Sequence, residues 1–145
     1  MTHDKANWHF EGEFPRELDR QQAYVPGGLL VAWLTERSLL SELAGEDFAD
    51  EFARLRARSI TGGQAYRLLG GVLESDLLND EADAFFSAYL DPDSGGYWTD
   101  YGVLAAGLPS QYHVPDDWAS YDRIAPSIDA SFARWRAEAG KPPGA

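Results

Sequence analysis

The sequence contains no cysteine. Disulfide-stapled folds, thiol nucleophiles, thiolate zinc sites and iron–sulfur clusters are therefore excluded. It also has no apolar run that approaches the roughly 18–20 residues of a membrane-spanning helix, and its amino-terminal residues show no signal-peptide core. We therefore expect a cytoplasmic protein without a membrane partner.

Basic residues are scarce as well. The chain has 12 lysines and arginines against 24 aspartates and glutamates, which gives a net charge of −12. An excess of this size argues against binding nucleic acid through its phosphates. Between Leu68 and Asp122 there is no lysine or arginine at all, although this stretch contains eleven carboxylates. Nearly the whole charge imbalance thus falls in the middle of the chain.

The same stretch is rich in aromatic residues. Carboxylates that steer a cationic partner, combined with tyrosine and tryptophan anchors, are typical of a protein interface. Solubility is the alternative interpretation of the charge. We predict a partner-binding surface of aspartates with aromatic anchors. The predicted aspartates are Asp80, Asp83, Asp91, Asp93, Asp100, Asp116 and Asp117, and the predicted anchors are Tyr97, Trp98 and Tyr101.

Apolar residues at helical spacing run through most of the chain and predict a mainly α fold. The predicted helices cover residues 21–36, 41–58, 62–73, 80–89, 115–123 and 126 onward. Ser41 and Asn79 are suited to cap the helices that follow them. Thr61 and Gln64 have the spacing of a capping box.

Prolines and composition set the remaining boundaries. Pro115 and Pro126 are each expected to open a helix, and the pattern of residues 97–106 fits either helix or strand. We predict one compact domain over residues 1–139, a bundle of about five to seven short helices with at most a minor hairpin or extended segment. Residues 140–145 are expected to form a frayed tail.

No established catalytic motif accompanies the three histidines, His3, His9 and His113. His3 lies in an end of the chain that we expect to be mobile. His113 could form an acid–base pair with Asp116 or Asp117, but the sequence shows no serine to serve as their nucleophile. We therefore predict no catalytic residues and no cofactor.

The best metal candidate is the loop that begins at Asp91. Asp91, Asp93 and Gly96 match positions 1, 3 and 6 of an EF-hand calcium loop. Glycines occupy positions 5 and 12, and the bidentate glutamate belongs at position 12. We therefore predict no metal site.

Several short motifs carry a family resemblance. They are Trp8-His9, Phe14-Pro15, Leu30-Val31-Ala32-Trp33, Asp47-Phe48, Thr61-Gly62 and Tyr112-His113-Val114. Over about residues 5–138 the chain resembles an uncharacterised family of small acidic bacterial proteins, which are domains of unknown function. Where that family reads Thr-His-Ile-Gly, this chain reads Val25-Pro26-Gly27-Gly28, so any role of that histidine is lost here. The family is in turn loosely similar to the immunity proteins of toxin systems.

We therefore expect an acidic protein-binding domain without enzymatic activity. Its partner would be a basic protein, namely a bacterial toxin whose cationic active-site cleft this immunity protein occludes. One alternative is a small hydrolase or ligand-binding enzyme that uses His9, His113 and Asp116. Another is a homodimeric regulatory protein with Trp98 or Trp118 at its interface.

Overall fold

The structure is a computed structural model that describes residues 1–140, which form eight α-helices, three short 3-10 helices and one two-stranded sheet. The helices are α1 (Ala6–Glu11), α2 (Val25–Glu36), α3 (Glu42–Asp47), α4 (Ala49–Arg56), α5 (Gly62–Leu68), α6 (Asp80–Tyr89), α7 (Gly96–Ala105) and α8 (Trp118–Ala139). The strands are β1 (Thr2–Lys5) and β2 (Val72–Glu74), and the 3-10 helices are Arg20–Tyr24, Ser75–Leu77 and Gln111–His113. The mainly α class is confirmed. Apart from Gly140, the predicted tail lies outside the described residues.

Helix α2 lies at the centre of the fold. Every residue from Val25 to Thr35 is buried, as expected for a helix that is apolar on all sides. Pro26 lies in the first turn, where its missing N–H removes no helical hydrogen bond. Trp33 packs edge-on against Phe132 of α8 at a ring distance of 5.2 Å. The helices around α2 thus share one core.

The three predicted helix starts are confirmed. The Ser41 hydroxyl accepts a hydrogen bond from the backbone N–H of Ala44 at 3.1 Å and begins α3. The side-chain oxygen of Asn79 accepts a backbone N–H of α6 at 2.9 Å. At α5 the capping box is complete, because the Thr61 hydroxyl accepts from the Gln64 N–H and the Gln64 side chain accepts from the Thr61 N–H.

Helix α5 ends at Leu68 instead of continuing to residue 73. The two glycines that follow adopt positive φ angles, +93° at Gly70 and +70° at Gly71. Glycine adopts this left-handed region without strain, so the chain can turn there into β2. The glycine pair therefore stops the helix.

Two other predicted helices are interrupted. The helix over 41–58 is divided at Phe48, whose φ of −123° lies outside the helical region. The helix over 21–36 begins as the 3-10 helix Arg20–Tyr24, with Asp19 as its cap. Residues 97–106, for which the sequence left helix and strand open, belong almost entirely to α7.

Helix α8 is continuous where two helices were predicted. It begins after Asp117, whose side chain caps it, and runs through Pro126 to Ala139. Pro126 is exposed and removes only one helical hydrogen bond, while the helix buries Ile124 and Ile128 on its other side. None of the helices within residues 1–140 is long and apolar enough to cross a membrane.

The amino-terminal residues form a strand instead of a mobile end. Strand β1 pairs antiparallel with β2, with Thr2 opposite Glu74 and Lys5 opposite Val72. His3 and Asp4 are buried as a result. Helix α1 follows β1 without a break, so the polar residues of both elements lie close together.

Candidate functional site

A buried polar network joins β1, α1, α5 and the 3-10 helix Gln111–His113. The Asp4 carboxylate accepts hydrogen bonds from His9 Nε2 at 2.9 Å and from the Tyr66 hydroxyl at 2.8 Å. The other ring nitrogen of His9, Nδ1, lies 2.9 Å from the Tyr112 hydroxyl. An imidazole ring that donates from Nε2 to Asp4 and accepts at Nδ1 from Tyr112 satisfies both contacts of His9.

The two tyrosines of this network act as donors. Burial, together with the adjacent Asp4 carboxylate, raises the pKa of Tyr66 far above its ordinary value. Burial also raises the pKa of Tyr112. Both hydroxyls therefore stay protonated near neutral pH, and Tyr112 is unsuited to act as an activated nucleophile.

Helix α2 approaches the network directly through Gly27. A Cβ atom at this position would overlap the Tyr66 ring and lie 2.7 Å from Asp4 Oδ2. A residue with a side chain would thus displace the Asp4–Tyr66 pair. Glycine is required at position 27 because the α2 backbone forms one wall of the network.

A cavity of about 160 Å³ opens beside the network. Asp4 and His9 line it together with the aromatic rings of Trp8, Tyr97 and Trp98. Trp8 is 50% exposed, whereas its neighbour His9 is buried. The cavity therefore combines a buried carboxylate with aromatic walls and a solvent-accessible tryptophan.

A shallower groove of about 270 Å³ lies between β1 and α6, and we call it the β1–α6 groove. It shares Trp8 and His3 with the cavity, so the two depressions are contiguous. Met1, which is 73% exposed, and Asp91 line the groove as well. The groove thus offers exposed apolar surface beside a carboxylate.

His3 connects the groove to helix α6. Its Nε2 lies 2.7 Å from Asp83 Oδ1, and its ring packs edge-on against Phe86. His3 is 8% exposed, and its Nδ1 has no hydrogen-bond partner within the described part of the chain. The amino-terminal end, which was expected to be mobile, is thus a strand fixed to α6 through His3.

Four of the predicted aspartates belong to α6 and the turn that follows it. Asp80 and Asp83 lie in the first turn of α6, and Asp91 and Asp93 lie beyond its carboxyl end. Asp91 Oδ1 accepts the backbone N–H of Asp93 at 2.9 Å and so stabilises the turn. Asp80, Asp91 and Asp93 are exposed, whereas Asp83 is half-buried against His3.

The other three predicted aspartates support the fold, and none lines the groove or the cavity. Asp100 accepts hydrogen bonds from the hydroxyls of Tyr89 at 2.7 Å and Ser131 at 2.6 Å. Asp116 accepts the backbone N–H of Gly63 at 3.1 Å, at the start of α5. Asp117 caps α8. Their positions give no support to a role in a common binding surface.

The predicted tyrosine anchors are wrong, because Tyr97 and Tyr101 are each only 1% exposed. The Tyr97 hydroxyl donates to the carbonyl of Pro26 at 2.6 Å, and that of Tyr101 donates to the carbonyl of Gln111 at 2.8 Å. Both are core residues of α7. Trp98 is half-buried and reaches the cavity, whereas the exposed tryptophan at this site is Trp8.

Arginines that precede and follow the acidic stretch in sequence neutralise part of it. Arg136 of α8 pairs with Glu81, and Arg58 pairs with Asp122 at 3.0 Å. These bonds raise the pKa of both arginines. Among residues 1–140, ion pairs thus reduce the negative charge at the start of α8 and beside α6, and none is formed at the turn of Asp91.

The histidines and the acidic loop do not form the other sites considered from the sequence. His113 Nδ1 lies 2.8 Å from the Ser110 hydroxyl, and no hydrogen bond between described residues joins His9, His113 and Asp116. Within residues 1–140, no three histidine, aspartate or glutamate side chains are placed to hold a metal ion, including those near Asp91.

Sequence reasoning missed Asp4 and Trp8. Strand β1 reads Thr-His-Asp-Lys, which contains no apolar residue, so hydrophobic periodicity could not identify it. For the exposure of Trp8 a weak signal existed in the sequence, because adjacent residues such as Trp8 and His9 point in different directions on a helix. A buried His9 therefore leaves Trp8 outside.

No curated protein and no solved structure matches the chain. One family model does match, and its description is "Domain of unknown function (DUF7832)". The match covers residues 2–114, which include Asp4, His9, Tyr66 and Tyr112. The expectation of an uncharacterised family is confirmed: the chain belongs to the DUF7832 family.

Proposed function

We propose that this protein is an acidic protein-binding domain that docks a basic protein partner at the β1–α6 groove. The observation that carries the proposal is Trp8, a tryptophan left 50% exposed between a cavity and a groove that has carboxylates at its edge. Tryptophan is among the residues that contribute most to protein interfaces, and an exposed one beside a depression is a suitable anchor.

The apolar surface of the groove is large enough to contribute to binding. A tryptophan side chain presents about 200 Å², so half exposure leaves about 100 Å² of ring surface. Covering that area stabilises a complex by about 2.5 kcal/mol at 25 cal/mol per Å². Met1 adds further apolar surface at the same edge. Trp8 is therefore the anchor of the proposed interface, in place of Tyr97 and Tyr101.

Charge favours a basic partner. The net charge is −12, the exposed Asp91 lines the groove, and Asp93 is exposed two residues further along the same turn. Asp80 is exposed on the same helix that forms one wall. Negative potential of this kind raises the association rate of a cationic protein by about 10- to 1,000-fold at low salt. It repels nucleic acids and anionic surfaces for the same reason.

The proposed partner is a bacterial toxin that acts on nucleic acid, and the protein would act as its immunity protein. Such a toxin needs a cationic cleft to bind phosphates, and an acidic surface can occupy that cleft in their place. The support for this finer assignment is the charge, the groove and the resemblance to immunity proteins. Neutralisation would follow from occlusion alone, so the protein needs no catalytic group.

Co-expression with the products of the flanking genes tests this proposal. Each neighbouring gene is expressed in a host alone and together with this protein. We expect one product to arrest growth alone, to be harmless in combination, and to form a complex with the purified protein. If no flanking product is toxic, or if toxicity persists while both proteins are present, the immunity assignment is wrong.

A further inference from the structure

The cavity beside the Asp4 network has the chemistry of a cation-binding pocket. Trp8, Tyr97 and Trp98 line it with aromatic rings, which attract cations through their negative faces. Asp4 supplies a carboxylate to the same cavity. Aromatic walls around a carboxylate are suited to an ammonium group on an apolar stem.

The charge of Asp4 lacks a strong cationic partner. Its two hydrogen bonds come from His9 and Tyr66, and within residues 1–140 it forms no ion pair with a lysine or arginine. Burying a carboxylate is unfavourable unless it is paired with a cation, and no lysine or arginine within residues 1–140 supplies one. An ammonium group in the cavity would supply the missing positive charge.

The size of the cavity limits what can enter. Its volume is about 160 Å³, whereas pockets for drug-sized ligands measure about 300–1,000 Å³. At about 30 Å³ per water molecule, it holds about five waters. A lysine side chain has five non-hydrogen atoms beyond its Cα, and an arginine side chain has seven. The cavity is therefore sized for one long side chain such as lysine and is too small for a drug-sized metabolite.

We propose that this cavity receives the side chain of a lysine from the protein partner. The inference rests on the proposed function and specifies its central contact. The aliphatic stem packs against Trp8 at the mouth, and the ammonium group reaches the half-buried ring of Trp98 on the side of the cavity that Asp4 lines. The β1–α6 groove, which shares Trp8 with the cavity, then holds the residues that flank this lysine in the partner.

Calorimetric titration with Nα-acetyl-lysine amide tests the pocket without the partner. The titrations run at about pH 8, where the lysine amide carries its charge. A single side chain is expected to bind at millimolar concentration, about −4 kcal/mol at 1 mM. The matched controls are the norleucine amide and the Nε-acetylated lysine amide, which have similar stems without the charge.

We expect the lysine amide to bind at least about tenfold more tightly than either uncharged control. Trp8→Leu should weaken binding by about 2- to 30-fold, the loss that corresponds to about 0.5–2 kcal/mol of cation–π attraction. Trp8→Phe, which keeps an aromatic ring, should recover part of it. Because Trp8 is half exposed, these variants are expected to fold, and circular dichroism checks that they do.

Asp4→Asn tests the carboxylate and should reduce the preference for lysine over norleucine. If that variant does not fold, the comparison of ligands and the Trp8 variants still decide the proposal. No saturable binding of the lysine amide, or equal binding of the uncharged amides, would overturn it. If the lysine amide does not bind but the intact protein rescues growth, the immunity function is supported and only the lysine pocket is wrong. If the lysine amide binds but no flanking gene product is toxic, the immunity function is wrong and the pocket remains.

Discussion

Asp4 Oδ2 lies 2.8 Å from the Tyr66 hydroxyl, and the Cα of Gly27 faces both of them. Strand β1, helix α5 and helix α2 therefore meet at one point with no space for another carbon atom. The cavity beside this point owes its shape to the same contact, since Gly27 also lines it. The packing at this point and the shape of the cavity thus both depend on one glycine.

Gly27→Ala should destabilise the protein. The added Cβ would overlap the Tyr66 ring, and overpacking of this kind lowers the free energy of unfolding by about 1–3 kcal/mol. Gly45→Ala is the matched control, because Gly45 also lies in a helix but a Cβ added there would meet no neighbouring group within 4 Å. That change should stabilise the protein by about 0.5–1 kcal/mol. Urea denaturation measures both, and equal stability of the two variants would contradict the close contact.

Reversing the charge of the turn beyond α6 should slow association with the partner. The variant Asp91→Asn/Asp93→Lys keeps the side-chain oxygen that accepts the Asp93 N–H and reverses the charge beside the groove. We expect the association rate constant to fall several-fold at low salt while dissociation changes little, because peripheral charges act mainly on the encounter. The effect should shrink as salt is added, since the Debye length is about 10 Å at 0.1 M.

The control for this experiment is Glu46→Gln/Asp47→Lys, which changes the net charge by the same amount. Both residues are exposed in α3, and neither lines the groove. Stopped-flow measurements with the toxin identified by co-expression compare the two variants. A similar slowing by both would show that total charge matters and that the groove does not.

The Arg37–Asp129 pair should make stability depend on pH in acid. Hydrogen bonding from Arg37 holds the pKa of the Asp129 carboxyl below its ordinary value of 3.8. A depressed pKa contributes stability that is present above about pH 3.8 and is lost as the pH falls through the lower folded-state value. Asp129→Asn should therefore reduce the free energy of unfolding at pH 7 by only about 0.5–1 kcal/mol, because both side chains are partly exposed.

Urea denaturation of Asp129→Asn and the intact protein from pH 7 down to about pH 3 measures this dependence. The difference between them should shrink below about pH 3.8 and vanish once the intact carboxyl is also protonated. The control Asp47→Asn, at an exposed aspartate, should show little difference at any pH. A deficit of Asp129→Asn that persists undiminished in acid would mean that packing, and not the ion pair, explains it.

Sequence reasoning identified features that depend on a few neighbouring residues. The caps at Ser41, Thr61 and Asn79 are local hydrogen bonds, and the buried α2 follows from its apolar composition. The pairing of β1 with β2 depends instead on residues about seventy positions apart, Thr2 and Glu74 among them. No local pattern specifies such a contact, so the strand and the buried Asp4 were missed.

Composition did not predict the aromatic residues of the candidate site, because it does not show on which side of a helix a residue lies. Tyr97 and Tyr101 lie in a stretch whose charge suggested a surface, yet their rings fill the core and their hydroxyls bond to carbonyls. An aromatic residue beside aspartates in sequence can lie on the opposite side of its helix. Composition therefore pointed to the acidic turn at Asp91, which is exposed, but not to Trp8 of α1, the exposed ring that lines the same groove.

The two prolines that were both expected to start helices should respond differently to replacement. Pro126 lies within α8, where it prevents one hydrogen bond, whereas Pro115 lies in the connection before the helix. Pro126→Ala restores that bond and should raise the free energy of unfolding by about 1–3 kcal/mol. Pro115→Ala should leave stability unchanged or lower it by less than about 1 kcal/mol, because it only loosens the unfolded chain. Urea denaturation of the two variants checks this, and a loss of stability in Pro126→Ala would argue for two separate helices that meet at Pro126.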